Sequence, residues 1–369
     1  MPEAVSGMMR DIDVLVIGGG QAALALGFYL RRSGLSYVIL DDQGGPGGAW
    51  PRTWDSLRLF SPAQWSSLPG YLMPRTGDEY PTRSEVIAYL TEYERRYALP
   101  IERPVHVDAV ERTADRAALA VRATRAGRDE VWRARAVVSA TGNWAHPIIP
   151  DVPGQSVFKG LILHSANYNG PAQFTGLRVV VVGGGNSGAQ IVAELSQVAD
   201  VTWATLRPPT FLPDEIDGRY LFEQATLRYR ALQEGRTPDP PRSLGDIVAV
   251  PVVREARARG VLESRSMLVR FTEHGVVWPD DSVSDVDVVI WATGFHSALE
   301  HLAPLDVVNA NGRIDVAGTR AVDEPRLWLL GYGEWTGYAS ATLIGVGRSA
   351  RATVDEIVKS FQPPSTADH

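Results

Sequence analysis

The chain of 369 residues contains no cysteine. Disulfides, thiolate metal ligands, cysteine nucleophiles and dithiol redox pairs are therefore excluded. Lysine is nearly absent as well. Only Lys159 and Lys359 occur, and arginine supplies the other positive charges. A net charge of -7 leaves no basic field for a nucleic acid. No run approaches the roughly 18 apolar residues of a membrane span. The opening "MPEAVSGMMR" lacks a basic segment followed by an apolar core. A soluble, cytoplasmic protein with neither membrane nor nucleic-acid partner is the expectation. No His and carboxylate cluster stands at ligand spacing, so no metal is expected.

Glycine, by contrast, is plentiful and placed. The segment "DVLVIGGGQAALALGFYLRRSGLSYVILDD" reads as strand, glycine turn, helix and strand. Gly18, Gly20 and Ala23 fill the G-x-G-x-x-G/A positions, with Gln21 and Ala22 between them at the helix start. The first glycine allows the tight turn, and the second lets a pyrophosphate approach the backbone. The third small residue lets helix pack on strand. Phosphate charge then meets the helix N-terminus. Asp41 ends the second strand, where an acid can hold a ribose diol.

The same order recurs in "RVVVVGGGNSGAQIVAELSQVADVTWATLR", with Gly183, Gly185 and Gly188 around Asn186 and Ser187. Here Arg207 stands near the acid position. A cation there can pair with a ribose 2′-phosphate and favour NADPH over NADH, although a solvated arginine is the alternative. Two such units in one chain imply electron transfer between two dinucleotides.

At about 150 residues per domain the length suits two or three cores. Alternating strands and helices predict an α/β fold with mainly parallel sheets. The two glycine turns lie far enough apart for two separate nucleotide-binding units. A helical flap is expected at 213–262. Residues 44–74 make a loop long enough to wrap a ligand. A helix is expected over "PTRSEVIAYLTEYERRY", and a hairpin turning near Ala126 and Gly127. The stretch "FKGLILHSANY", residues 158–168, fits neither period and reads as a connector.

These motifs resemble the two-dinucleotide flavoproteins, and among them the small bacterial flavin-containing monooxygenases. The resemblance spans nearly the whole chain. "GGAW" with Gly48 and Trp50 matches the family's GG-x-W, and "FKGLILHSANY" its F-x-G-x-x-x-H-x-x-x-Y/F fingerprint. The two "ATG" strands, Ala140, Thr141, Gly142 and Ala292, Thr293, Gly294, resemble the paired crossings between cofactor domains.

The resemblance implies two Rossmann-like domains, the second inserted in the first: residues 8–165 with 289–369 bind FAD at the first turn, contacted also by Val107, and 166–288 bind NADPH at the second, with NADH as a further donor. It implies insertion of one oxygen atom of O2 into a sulfide or amine, or a ketone by Baeyer–Villiger oxidation, through a flavin hydroperoxide. Phe60, His164 and Tyr168 fall in the catalytic set. Phe60 replaces the Asn of many relatives, which leaves an uncoupled NAD(P)H oxidase as an alternative. His164 is expected to tie the interdomain crossing together, with contact to the nicotinamide cofactor as the alternative. Tyr332 and Trp335 could wall the substrate pocket or pack in the core. A flavin-dependent reductase with another acceptor is the remaining rival, although the absent cysteine pair removes its disulfide-reducing form. Family likeness alone suggests a homodimer.

Overall fold

A computed structural model describes residues 9–77, 80–214 and 246–362, with a few single positions between 219 and 236. Strand β1 (Arg10–Ile17), helix α1 (Gln21–Leu30) and strand β2 (Tyr37–Leu40) make the opening unit, with β1 and β2 parallel. β1 begins earlier than its valine run suggests, because Arg10 to Ile12 pair with Trp132 to Ala134. After helix α2 (Arg83–Tyr97) come β3 (Ile101–Glu102), β4 (His106–Arg112), β5 (Leu119–Arg125) and β6 (Arg128–Ser139). Thr82 and Glu85 close a capping box at the start of α2. Ala126 and Gly127 both take positive φ between β5 and β6, the conformation a two-residue hairpin requires.

This first sheet runs β17-β18-β19-β6-β1-β2-β3, with the β4–β5 pair attached to β6. Its late members are β17 (Val316–Ala317), β18 (Arg320–Ala321) and β19 (Leu327–Leu329). Val14 and Val16 face a core shared with α1, α2 and the closing helix Leu343–Phe361. Leu15 and Ile17 face the opposite side, against β4, β5 and the 299–305 turn. Both faces are buried, so the strand reads as an unbroken apolar run.

The second sheet is wholly parallel, in the order β11-β10-β9-β15-β8. Its strands are β8 (Leu161–His164), β9 (Arg178–Val182), β10 (Asp200–Thr205), β11 (Ser264–Ser266) and β15 (Val288–Trp291). Helix α3 (Asn186–Leu195) and helix Pro251–Ala258 cover Val179 and Val181. A small antiparallel sheet of β12 (Arg270–Phe271), β13 (Gly275–Val277) and β14 (Val283–Asp285) covers Val180 and Val182. The stretch expected as a plain connector thus supplies an edge strand. β8 and β15 both belong to this second sheet, a few residues across the boundaries expected at 165 and 289. About half of the expected 213–262 flap lies outside the described residues; within the rest, Pro251–Ala258 is helical.

Two crossings join the sheets. β7 (His146–Pro147) pairs antiparallel with β16 (Phe295–His296). The ATG segments bond each other's continuations reciprocally. Ala298 N–H donates to Gly142 O at 2.9 Å, and the Thr141 hydroxyl donates to Ala298 O at 2.6 Å. In mirror fashion, Ile148 N–H donates to Gly294 O at 2.9 Å, and the Thr293 hydroxyl donates to Ile148 O.

Candidate active site

Each glycine turn is pressed against an ATG strand. Gly18 has φ +96°, and a Cβ there would sit 2.7 Å from the Ala140 carbonyl oxygen. Gly183 has φ +135°, and a Cβ there would strike the Ala292 carbonyl. Only glycine meets both demands. α1 and α3 begin at Gly20 and Gly185 with no side-chain cap and no acid in the first turn. Their free N–H groups and positive ends are left for an anion.

A cavity of about 500 Å³ opens on the first turn. Gly18, Gly20, Gln21, Ala22, Asp41, Gly48, Trp50, Val107, Ala140, Thr141 and Gly142, all expected at a flavin site, line it. Ala23 does not; it is buried behind the turn. The GGAW loop lies directly on the turn, since a Cβ on Gly48 would sit 2.7 Å from Gly20 Cα. Trp50 Nε1–H donates to Gln21 Oε1 at 3.3 Å, while Gln21 Nε2–H donates to Ala341 O at 2.7 Å. Asp41 is 3% exposed, and its Oδ2 accepts from Arg103 Nε–H at 2.5 Å. Arg103 also forks onto both oxygens of Glu94 at 2.7 Å. The sequence reading missed Arg103, because 62 residues separate it from Asp41.

A second cavity, about 220 Å³, adjoins the first and shares Gln21, Trp50, Leu57 and Ala341 with it. Its far wall is the start of α3, through Asn186, Ser187 and Gln190. Phe60, Trp65 and Leu343 make it apolar. The Asn186 amide is committed elsewhere. It donates to Asp246 O at 3.3 Å and accepts from Val248 N–H at 2.9 Å. Arg207 is exposed just past β10, its carbonyl 3.9 Å from where a Gly184 Cβ would lie.

The fingerprint residues His164 and Tyr168 line neither of these two cavities. His164 is 2% exposed. Its Nδ1 accepts from Ala166 N–H at 3.1 Å, so Nε2–H donates to Gly294 O at 3.1 Å. Burial pushes the imidazole below its ordinary pKa, and the Gly294 bond opposes that only in part. Tyr168 is stacked on Phe174, and its hydroxyl donates to Glu194 Oε2 at 3.1 Å. Burial raises its pKa, with Glu194 adding to the effect. Tyr332 and Trp335 also line neither cavity. Tyr332 is buried, with its hydroxyl 2.5 Å from Ser139 Oγ and 2.6 Å from Thr141 Oγ1, and Trp335 packs on it. Ser139 Oγ meets His301 Nε2 at 3.0 Å. Asp214 bonds to Arg257; Glu215 and Asp217 lie outside the described residues.

Residues 15–217 match the family described as pyridine nucleotide-disulphide oxidoreductase. The flavin-containing monooxygenase from Stenotrophomonas maltophilia is 50% identical, with a TM-score of 0.87, covering 96% of this chain and 100% of that one. The chain belongs to the flavin-containing monooxygenases. Indole-3-pyruvate monooxygenase YUCCA4 from Oryza sativa is 30% identical over 332 residues, covering 78% of this monooxygenase and 76% of the relative. Bacillithiol disulfide reductase Bdr from Bacillus cereus shares the fold, with a TM-score of 0.74 at 19% identity, and covers 95% and 100% of the two chains. The monooxygenase uses a flavin and a nicotinamide cofactor, and its lack of cysteine separates it from dithiol chemistry. Among the described residues no helix is long and apolar enough to cross a membrane.

Proposed function

We propose that the monooxygenase holds FAD in the larger cavity and NADPH along the second glycine turn, and oxygenates a small sulfide or amine where the cavities meet. The observation that carries this reading is the shared wall: Gln21, Trp50, Leu57 and Ala341 border both spaces. A flavin bound there would take hydride from the nicotinamide and pass one oxygen atom of O2 to substrate, the other leaving as water. Gly18, Gly20 and Gly48 bring the backbone close enough for its pyrophosphate, and Asp41, fixed by Arg103, faces its ribose. Leu57, Phe60, Trp65 and Leu343 exclude water from the joint space. That matters because water promotes loss of peroxide. Phe60 offers no hydrogen bond, so some uncoupled peroxide accompanies product.

The protein thus serves mainly to orient two rings, and few acids or bases are needed. On this reading the nicotinamide unit takes in β8 and β15. Its 2′-phosphate meets Arg207. The test follows NADPH and NADH consumption with a thioether under air, measuring sulfoxide and peroxide together. Sulfoxide is expected in excess of peroxide, and peroxide alone would make the enzyme an oxidase. Arg207→Ala should lower kcat/KM for NADPH by roughly tenfold and leave NADH unchanged. Equal loss with both coenzymes would remove Arg207 from selection.

A further inference from the structure

Most of the polar side chains around the smaller cavity are occupied within the protein. The Gln21 amide is used at both ends by Trp50 and Ala341, and the Asn186 amide by Asp246 and Val248. Ser61 and Ser66 bond one another at 2.8 Å, and Thr342 Oγ1 caps the closing helix. Gln190 differs. It lines this cavity, and among the described residues its carboxamide makes no hydrogen bond. Its donor and acceptor edges are uncommitted and open to whatever fills the cavity.

The position says which ligand. Gln190 stands one helical turn after Asn186, on the same face of α3. A dinucleotide lying across the start of α3 has two ends. One runs toward Arg207, and the other enters the space bounded by Gln190 and by Trp50 on the flavin side. We infer that Gln190 reads the carboxamide of the nicotinamide ring. Gln190 Nε2–H donates to the nicotinamide carbonyl, and Gln190 Oε1 accepts from the nicotinamide amide. Each group has one donor edge and one acceptor edge, so the two close a cyclic pair. A thioether or amine substrate has no matching edge. The pair fixes the ring's rotation about its glycosidic bond, and with it which carbon faces the flavin.

This inference rests on the proposed coenzyme site. It is tested with FAD-loaded enzyme, following flavin reduction without oxygen. NADPH and NADH are compared with their 3-acetylpyridine analogues, which keep the carbonyl and replace the amide NH2 with a methyl group. Wild type should prefer the carboxamide coenzymes. Gln190→Leu and the longer Gln190→Met should weaken them by roughly tenfold or more and the analogues by clearly less, so that the preference collapses. FAD content should be unchanged. Equal losses for coenzyme and analogue would mean that Gln190 only shapes the cavity. A raised KM for the thioether with coenzyme kinetics intact would make it a substrate contact. Either result overturns the inference. If the wild-type enzyme is reduced by no nicotinamide at all, the coenzyme site itself is misassigned; if it is reduced and both variants match it, only the role of Gln190 falls.

Discussion

One methyl group at position 160 tests how the edge strand is held. A Cβ on Gly160 would sit 2.5 Å from the Asp287 carbonyl oxygen and collide with the Phe158 ring. The oxygen cannot retreat freely. It accepts from Leu161 N–H at 2.9 Å, the bond that opens the β8–β15 pairing. The ring cannot leave freely either, because Phe158 is buried against Phe271 with centroids 5.2 Å apart. Overpacking of this kind costs about 1–3 kcal/mol. A chain of 369 residues changes by roughly 0.8 kcal/mol per degree near its midpoint, so Gly160→Ala should melt about 1–4 °C lower. The assay is a thermal melt at fixed FAD, run beside Phe158→Leu and the double variant. Phe158→Leu relieves the ring contact and leaves the carbonyl contact. The double variant should therefore still melt below Phe158→Leu alone. Because β8 ends at His164, Gly160→Ala should also raise peroxide per NADPH consumed. Unchanged melting and coupling in Gly160→Ala would refute the steric argument.

Two further outcomes follow from the buried polar groups. Burial holds the His301 imidazole at a pKa of about 4, with nearby His106 contributing, against about 6.5 when unfolded. Between those values the unfolded chain takes up a proton that the folded chain refuses. Stability from this site is complete above pH 6.5 and falls as pH drops toward 4, by at most about 3 kcal/mol. His301→Gln can still bond Ser139 and cannot titrate, so its melting temperature should depend less steeply on pH across that window; a parallel curve would contradict the assignment. Tyr332→Phe should cost about 1 kcal/mol, since Ser139 keeps His301 and Thr141 keeps Ala298 as partners. Its substrate range should be unchanged, and a shifted range in a thioether panel would return Tyr332 to the pocket wall.

The parallel strands and glycine turns were legible because their signals are local. Valine runs, a tight turn and a following helical period occupy some thirty contiguous residues in each unit. The hairpin at Ala126 and Gly127 was legible for the same reason. What escaped depended on distant partners. β8 is only four residues long, and it becomes a strand by pairing with Val288 to Trp291. Asp41 looked free for a ribose, yet Arg103 fixes it from beyond α2. Tyr332 and Trp335 were open to two readings from the sequence, pocket wall or core, and Tyr332 is buried in a core cluster with the half-buried Trp335 packed against it. His164 and Tyr168 were found by spacing, and their partners, Gly294 and Glu194, lie too far along the chain to be read from it. Gln190 carried a weak signal, a large polar residue two positions past the last glycine of the turn.

The reciprocal bonds between the two crossings bear on how such an enzyme can diversify. Three of the four acceptors and donors that lock each crossing to the other are peptide groups, and the side chains involved are single threonines. The meeting angle of the two cavities is therefore written into backbone that almost any flanking sequence can follow. Residues proposed to choose a coenzyme phosphate, such as Arg207, or lining the joint space, such as Phe60, can change without retuning that angle. A nicotinamide unit exchanged between relatives should keep its alignment provided both crossings travel with it. The joint, more than the pockets, is what descent has to preserve.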